Sequence, residues 1–178
     1  MLLLLPMNKM QTVRIEKVTL NIGAGKDQAR LGKAIKLLKH ITGIEPVKTV
    51  ASKRIPSWGL RPGLPIGCKL TLRKGTEPLI KQCLAAKENV LSLRNFDNSG
   101  NISFGIHEYI DVPGIKYDPD IGIIGFQLSI TLERPGYRVK RRRIQKAIIG
   151  KHHQITQQDA VSFMKQQFQI KLKEEEQA

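Results

Sequence analysis

Apolar and polar positions alternate along several stretches of this chain, and the alternation predicts strands. Val18, Leu20 and Ile22 point to one face, Thr19 and Asn21 to the other. The same period runs over residues 66–73, with Ile66, Cys68, Leu70 and Leu72 on one side and Gly67, Lys69, Thr71 and Arg73 on the other. It returns over residues 126–132, where Phe126, Leu128, Ile130 and Leu132 face inward and Gln127, Ser129 and Thr131 outward. Shorter runs at residues 46–50 and 102–106 predict two more strands. Elsewhere the period lengthens to that of a helix. Asp27 is an N-cap, Leu31, Ala34, Ile35, Leu38 and Ile41 form an apolar stripe, and Gly43 ends it. Thr76 caps a second helix with Pro78 in its first turn and Leu79, Ile80, Cys83, Leu84 and Val90 on its buried side. Thr156-Gln157-Gln158-Asp159 reads as a capping box that opens a last helix, with Ala160, Val161, Met164 and Phe168 along one side.

Strands and helices do not alternate strictly, and the strands are half-apolar. That combination predicts an α+β fold: a largely antiparallel sheet, helices packed on one face, an open polar face, and a basic C-terminal extension. The 178 residues read as a single domain, with an N-terminal extension over 1–12, an α+β core over 13–132, and a basic loop with a C-terminal helix over 133–178.

The open face then holds Thr19, Asn21, Lys69, Thr71, Arg73, Gln127, Ser129 and Thr131, without an Asp or Glu. Such a surface donates to phosphates, 2′-hydroxyls and base edges, and its lack of aromatic rings argues against stacking as the mode of contact. Downstream, seven of the thirteen residues from Arg134 to Lys146 are cationic and none is acidic. Five of these are Arg, which suits forked contacts to phosphate oxygens, and Tyr137 at the head of the run offers a ring. The run is expected to stay out of any core and to need a dense anionic partner, and its part from Arg138 to Arg143 to order only against it. The net charge of +15 supports a nucleic-acid partner. Its distribution is uneven: residues 91–120 carry two cations and five anions, which suggests a second side facing a basic protein. The candidate RNA contacts are therefore Thr19, Asn21, Lys48, Lys69, Thr71, Arg73 and Gln127 from the strands, and Arg134, Arg138, Lys140, Arg141, Arg142, Arg143 and Lys146 from the basic run. Residues 52–64, rich in Gly and Pro and carrying Trp58, read as a functional loop without structure of its own.

Other chemistries find little support. Gly23-Ala24-Gly25-Lys26 follows a strand and precedes a helix, but Leu20 and Asp27 stand where a phosphate loop needs Gly and Ser or Thr. His40, His107, His152 and His153 form no catalytic or metal-binding constellation with Glu108 or Asp111, so neither an enzyme nor a cofactor is expected. Cys68 and Cys83 read as reduced core residues of a cytoplasmic protein. The opening Met1-Leu2-Leu3-Leu4-Leu5-Pro6 is too short for a signal-peptide core and lacks a charged start, and no run is long enough to span a membrane.

Four motifs in order carry a specific resemblance: Asn21-Ile22-Gly23, Pro65-Ile66-Gly67-Cys68-Lys69-Leu70-Thr71-Leu72-Arg73, Asn101-Ile102-Ser103-Phe104-Gly105-Ile106, and Gly114-Ile115-Lys116-Tyr117-Asp118-Pro119. Together they resemble the universal large-subunit ribosomal protein L-five family, over about residues 13–168. Glu133-Arg134-Pro135-Gly136-Tyr137-Arg138 and Ile149-Gly150-Lys151-His152-His153 are similar to its archaeal form. Lys74 before Gly75 and the Leu-rich start depart from the family pattern. The resemblance implies a protein that binds 5S rRNA and the large rRNA in the central protuberance, beside a neighbouring 5S-binding ribosomal protein. It further implies a bridge to the small-subunit head protein S-thirteen. A loop over residues 57–64, with Trp58, Gly59, Leu60 and Arg61 at its tip, would reach toward P-site tRNA. A free RNA-binding regulator using the same face is the alternative. A basic membrane-surface protein fits less well, because the last helix is rich in Gln.

Overall fold

The computed structural model describes residues 8–173. The Leu-rich start and Glu174-Glu175-Glu176, expected to fray, lie outside the described residues. Seven strands and four helices are present among them: β1 Arg14–Gly23, α1 Gln28–Thr42, β2 Val47–Val50, β3 Pro65–Leu72, α2 Glu77–Ala85, β4 Val90–Ser92, β5 Asn101–Ile106, β6 Phe126–Glu133, the single turn α3 Arg138–Arg141, α4 Gln157–Phe168 and β7 Lys171–Lys173. The five-stranded sheet has the order β2-β3-β1-β6-β5, and β3 pairs antiparallel with both β1 and β2. The α+β class read from the sequence is the class observed.

The chain divides into two compact units. One comprises residues 18–89 and 103–129, the other residues 1–17, 90–102 and 130–178, so β1, β5 and β6 contribute to both.

In the first unit the register fixes the faces. Val18, Leu20 and Ile22 lie opposite Leu72, Leu70 and Cys68, all on the side that α1 packs against. Val18, Leu20, Ile22, Cys68, Leu70, Phe126 and Leu128 are buried, as the alternation requires. Gly67 is where a side chain is excluded: a Cβ there would stand 2.6 Å from the Ile22 carbonyl oxygen. Helix α1 starts where Asp27 accepts from the Ala29 and Arg30 amides at 2.9 and 3.2 Å, and stops at left-handed Gly43, whose amide reaches the Lys39 carbonyl. Its buried arc is Leu31, Ala34, Leu37 and Leu38. Ile35 and Ile41, expected in the stripe, are only half-buried, because the arc is centred one position nearer Leu37.

Helix α2 buries Leu79, Ile80, Cys83 and Leu84. Thr76 precedes it but makes no side-chain capping bond. Val90 is not on this helix. Glu88 and Asn89 adopt positive φ, the Asn89 amide returns to the Leu84 carbonyl, and the chain leaves as β4. In the second unit β4 pairs in parallel with β7, and the capping box of α4 is formed, with Thr156 and Asp159 bonding each other's amides.

Cys68 and Cys83 are buried free thiols. Burial pushes the Cys68 thiol up to about 11 and the Cys83 thiol up to about 12, from an ordinary 9.0. Because the folded values lie above the unfolded one, the contribution to stability is intact below about pH 9 and lost as pH rises toward about 11–12. Denaturant melts at increasing alkaline pH are expected to show that decline, and Cys83→Ala to remove most of it. Mass spectrometry of the non-reduced protein should show no loss of two hydrogens.

Candidate nucleic-acid interface

The open sheet face of the first unit is built by strand register. Thr19 lies across from Thr71, and Asn21 from Lys69. From β5 and β6, Ser103 donates from its hydroxyl to that of Ser129 at 3.0 Å. Asn21, Lys69, Thr71, Arg73, Ser103 and Gln127 are exposed, and Thr19 and Ser129 are half-buried. Ser103 was not among the sequence candidates, although its place in the Asn101–Ile106 alternation marks it. Lys48 is placed differently. It pairs with buried Cys68 and so projects on the opposite side of the edge strand from Lys69, whose own partner is Val47. A hollow of about 200 Å³ sits at one end of the face, lined by Asn21, Gly23, Gly105, His107, Gly125 and Gln127 among others. These groups can donate to and accept from a polynucleotide, and no carboxylate faces them from β1, β3, β5 or β6 of this unit.

The loop expected to lack structure has it. Ala51 donates to the Leu64 carbonyl, Ile55 and Leu60 exchange backbone bonds at 3.1 and 3.0 Å, and Pro56–Trp58 form a 3-10 turn. Trp58 is 67% exposed at the tip, with Gly59 and Arg61 exposed beside it. Leu60 is buried, so it anchors the loop and does not face outward.

In the second unit the basic segment is also folded. Gly136, at φ 96°, turns the chain into α3. Tyr137 donates its hydroxyl to the His153 carbonyl at 3.2 Å and accepts from the Ile155 amide at 3.0 Å. The His153 ring meets that of Tyr137 edge-on and bonds the Pro135 carbonyl through Nε2, which must therefore carry the proton. Arg134 donates to the Gln154 carbonyl and to Asp159 at 3.0 Å. Arg141 pairs with Glu133 and with Glu16, and Arg14 also pairs with Glu133. Two of the seven cations thus take acids of the same chain, contrary to the expectation that the whole run depends on an outside partner for its charge, and its part from Arg138 to Arg143 for its order. Arg138, Lys140, Arg143 and Lys146 are exposed and make no ion pair among the described residues. Arg142 is exposed, and its guanidinium bonds the Gln145 carbonyl. A cavity of about 760 Å³ opens here, lined by Tyr137, Lys140, Lys146, Ile148, Ile149 and Ile155 among others. Among the described residues no group of three or more His, Cys, Asp or Glu could hold a metal ion, and no helix is long and apolar enough to cross a membrane.

Two family models match the chain in succession. The one described as "Ribosomal protein L5" covers residues 8–61, and "ribosomal L5P family C-terminus" covers residues 65–163. Among curated relatives, "Large ribosomal subunit protein uL5" of Sulfurisphaera tokodaii is 47% identical over 169 residues, 94% of this chain and 96% of the relative. The proteins of the same name from Nanoarchaeum equitans and Sulfolobus acidocaldarius are each 45% identical, over 92% and 94% of this chain and 97% and 94% of their own lengths. With both family models and near-complete archaeal relatives in agreement, the chain belongs to the ribosomal protein L5 family.

Proposed function

We propose that this ribosomal protein is a structural constituent of the large subunit that binds 5S rRNA and helps attach it in the central protuberance. One observation carries the reading: the first unit presents a carboxylate-free face on which Thr19, Asn21, Lys69 and Thr71 are held in fixed register. A rigid row of alternate residues can match one RNA shape, whereas exposed cations on a turn supply affinity for any phosphate. The exposed cations of the basic segment take that second role. The structured loop with Trp58, Gly59 and Arg61 at its tip is the part that contacts P-site tRNA. The acidic stretch over residues 91–120 suits a basic protein such as small-subunit S-thirteen. Large-subunit rRNA and a neighbouring 5S-binding protein complete the partners, on the ribosome in the cytoplasm.

The experiment is a paired titration against 5S rRNA and a control hairpin of similar size. Thr71→Ala should weaken 5S rRNA binding by about fivefold, the worth of one hydrogen bond, and leave the hairpin nearly unchanged. Equal losses on both RNAs would refute a selective face. Sucrose-gradient fractionation at moderate salt should place the chain with the large subunit; migration with free RNA alone would favour a regulator off the ribosome.

A further inference from the structure

Glu133 is 5% exposed and is the one buried carboxylate among the described residues. It closes β6, and two guanidinium groups from distant parts of the chain meet it there. Arg14 of β1 donates through Nε at 2.9 Å, and Arg141 of α3 reaches the other oxygen. The second arm of Arg141 extends to Glu16 at 2.5 Å. Two cations and two anions balance in this cluster, so it adds nothing to the field of the basic run. What it does is tie α3 to β1 and β6 at the point where the cationic segment begins.

We propose that Glu133, with Glu16, is a positioning residue for RNA binding: it withdraws Arg141 from the phosphate-contacting set and holds the basic segment in its RNA-ready shape before RNA arrives. The inference rests on the RNA-binding reading above. Arg138, Lys140, Arg142 and Arg143 repel one another, and a loose segment would spread them. Ordering it on RNA would then subtract from affinity at every residue fixed. Only the Glu133 side chain is buried, those of Arg14 and Arg141 being 62% and 49% exposed, so the clamp depends on the one carboxylate that holds both arginines.

Opposite signs separate this from simple charge counting. Glu133→Gln and Glu16→Gln each delete a negative charge from an RNA-binding protein, and by charge alone each should tighten binding. The clamp predicts that each weakens 5S rRNA binding, by roughly tenfold for every residue of the segment set loose. Two arginines give a second readout. Arg143→Ala should lower the salt dependence by about one phosphate equivalent, whereas Arg141→Ala should weaken binding at an unchanged salt slope, although both lose one cation. Circular dichroism melts report whether each variant folds; Glu16→Gln removes the second hold on Arg141 and serves if Glu133→Gln does not fold. If the wild-type chain fails to bind 5S rRNA, the RNA reading falls and this proposal with it. If the wild type binds while a folded Gln variant binds as tightly or tighter, or Arg141→Ala lowers the slope as much as Arg143→Ala, the clamp alone is overturned.

Discussion

Raising the salt from 50 to 200 mM will weaken 5S rRNA binding by about 10³–10⁴-fold. The size follows from which cations are free. Lys69 and Arg73 in one unit, and Arg138, Lys140, Arg142, Arg143 and Lys146 in the other, are exposed and outside every ion pair among the described residues. If each neutralises one phosphate, counterion release gives a log–log slope of about −5 to −6, and a fourfold change in salt spans three to four decades. Counting the paired Arg134 and Arg141 as contacts would push the loss toward about 10⁵-fold. Anisotropy titrations at four salt concentrations distinguish these numbers. An isotherm flat in salt would sink the electrostatic account, and the steeper slope would show that the internal ion pairs open on RNA.

The sheet was legible from the sequence because its signal is local. Val18, Leu20 and Ile22 against Thr19 and Asn21 declare two faces within five residues, and residues 66–73 and 126–132 repeat the declaration. The caps at Asp27, Gly43 and Thr156 were legible for the same reason, each being a bond spanning two to four positions. Non-local features were not. β4 and β7 are three residues each and pair in parallel across some eighty positions, so neither carries a period of its own. Val90 looked helical for want of that partner. Leu60 looked like part of a loop tip because the backbone bonds between Ile55 and Leu60 that turn it inward leave no trace in composition. Lys48, a candidate contact from its strand, projects on the side away from the open face because it pairs with Cys68, which no local pattern reveals.

The basic segment shows how charge counting along a chain can mislead. From Arg134 to Lys146 no acid appears, and the run reads as unable to find balance within the protein. Its acids are Glu133, just before the run, Asp159 beyond it, and Glu16, which lies 125 positions away from Arg141. Local density marked the cationic chemistry, while the pairing that shapes it is a property of the fold.

Tyr109→Ala is expected to cost about 3–5 kcal/mol, a large share of the roughly 5–15 kcal/mol typical of a domain. The ring is fully buried in the first unit, in the 3-10 turn Tyr109–Asp111 that follows β5. Its hydroxyl accepts from the Asp118 amide at 2.9 Å and donates to the Asp118 carbonyl, and its own amide reaches the Ile124 carbonyl. Asp118 in turn receives the Asp120 amide on its side chain and the Ile121 and Gly122 amides on its carbonyl. One tyrosine therefore ties down the segment over residues 112–120, which contains Pro113 and Pro119. Tyr109→Phe keeps the packing and leaves the Asp118 amide without its acceptor, which should cost about 1–3 kcal/mol. Urea melts of the three proteins separate the two contributions. If Phe proves as damaging as Ala, the hydrogen bonds dominate and the packing estimate is wrong; if Ala melts with the wild type, this stretch is held by something other than Tyr109.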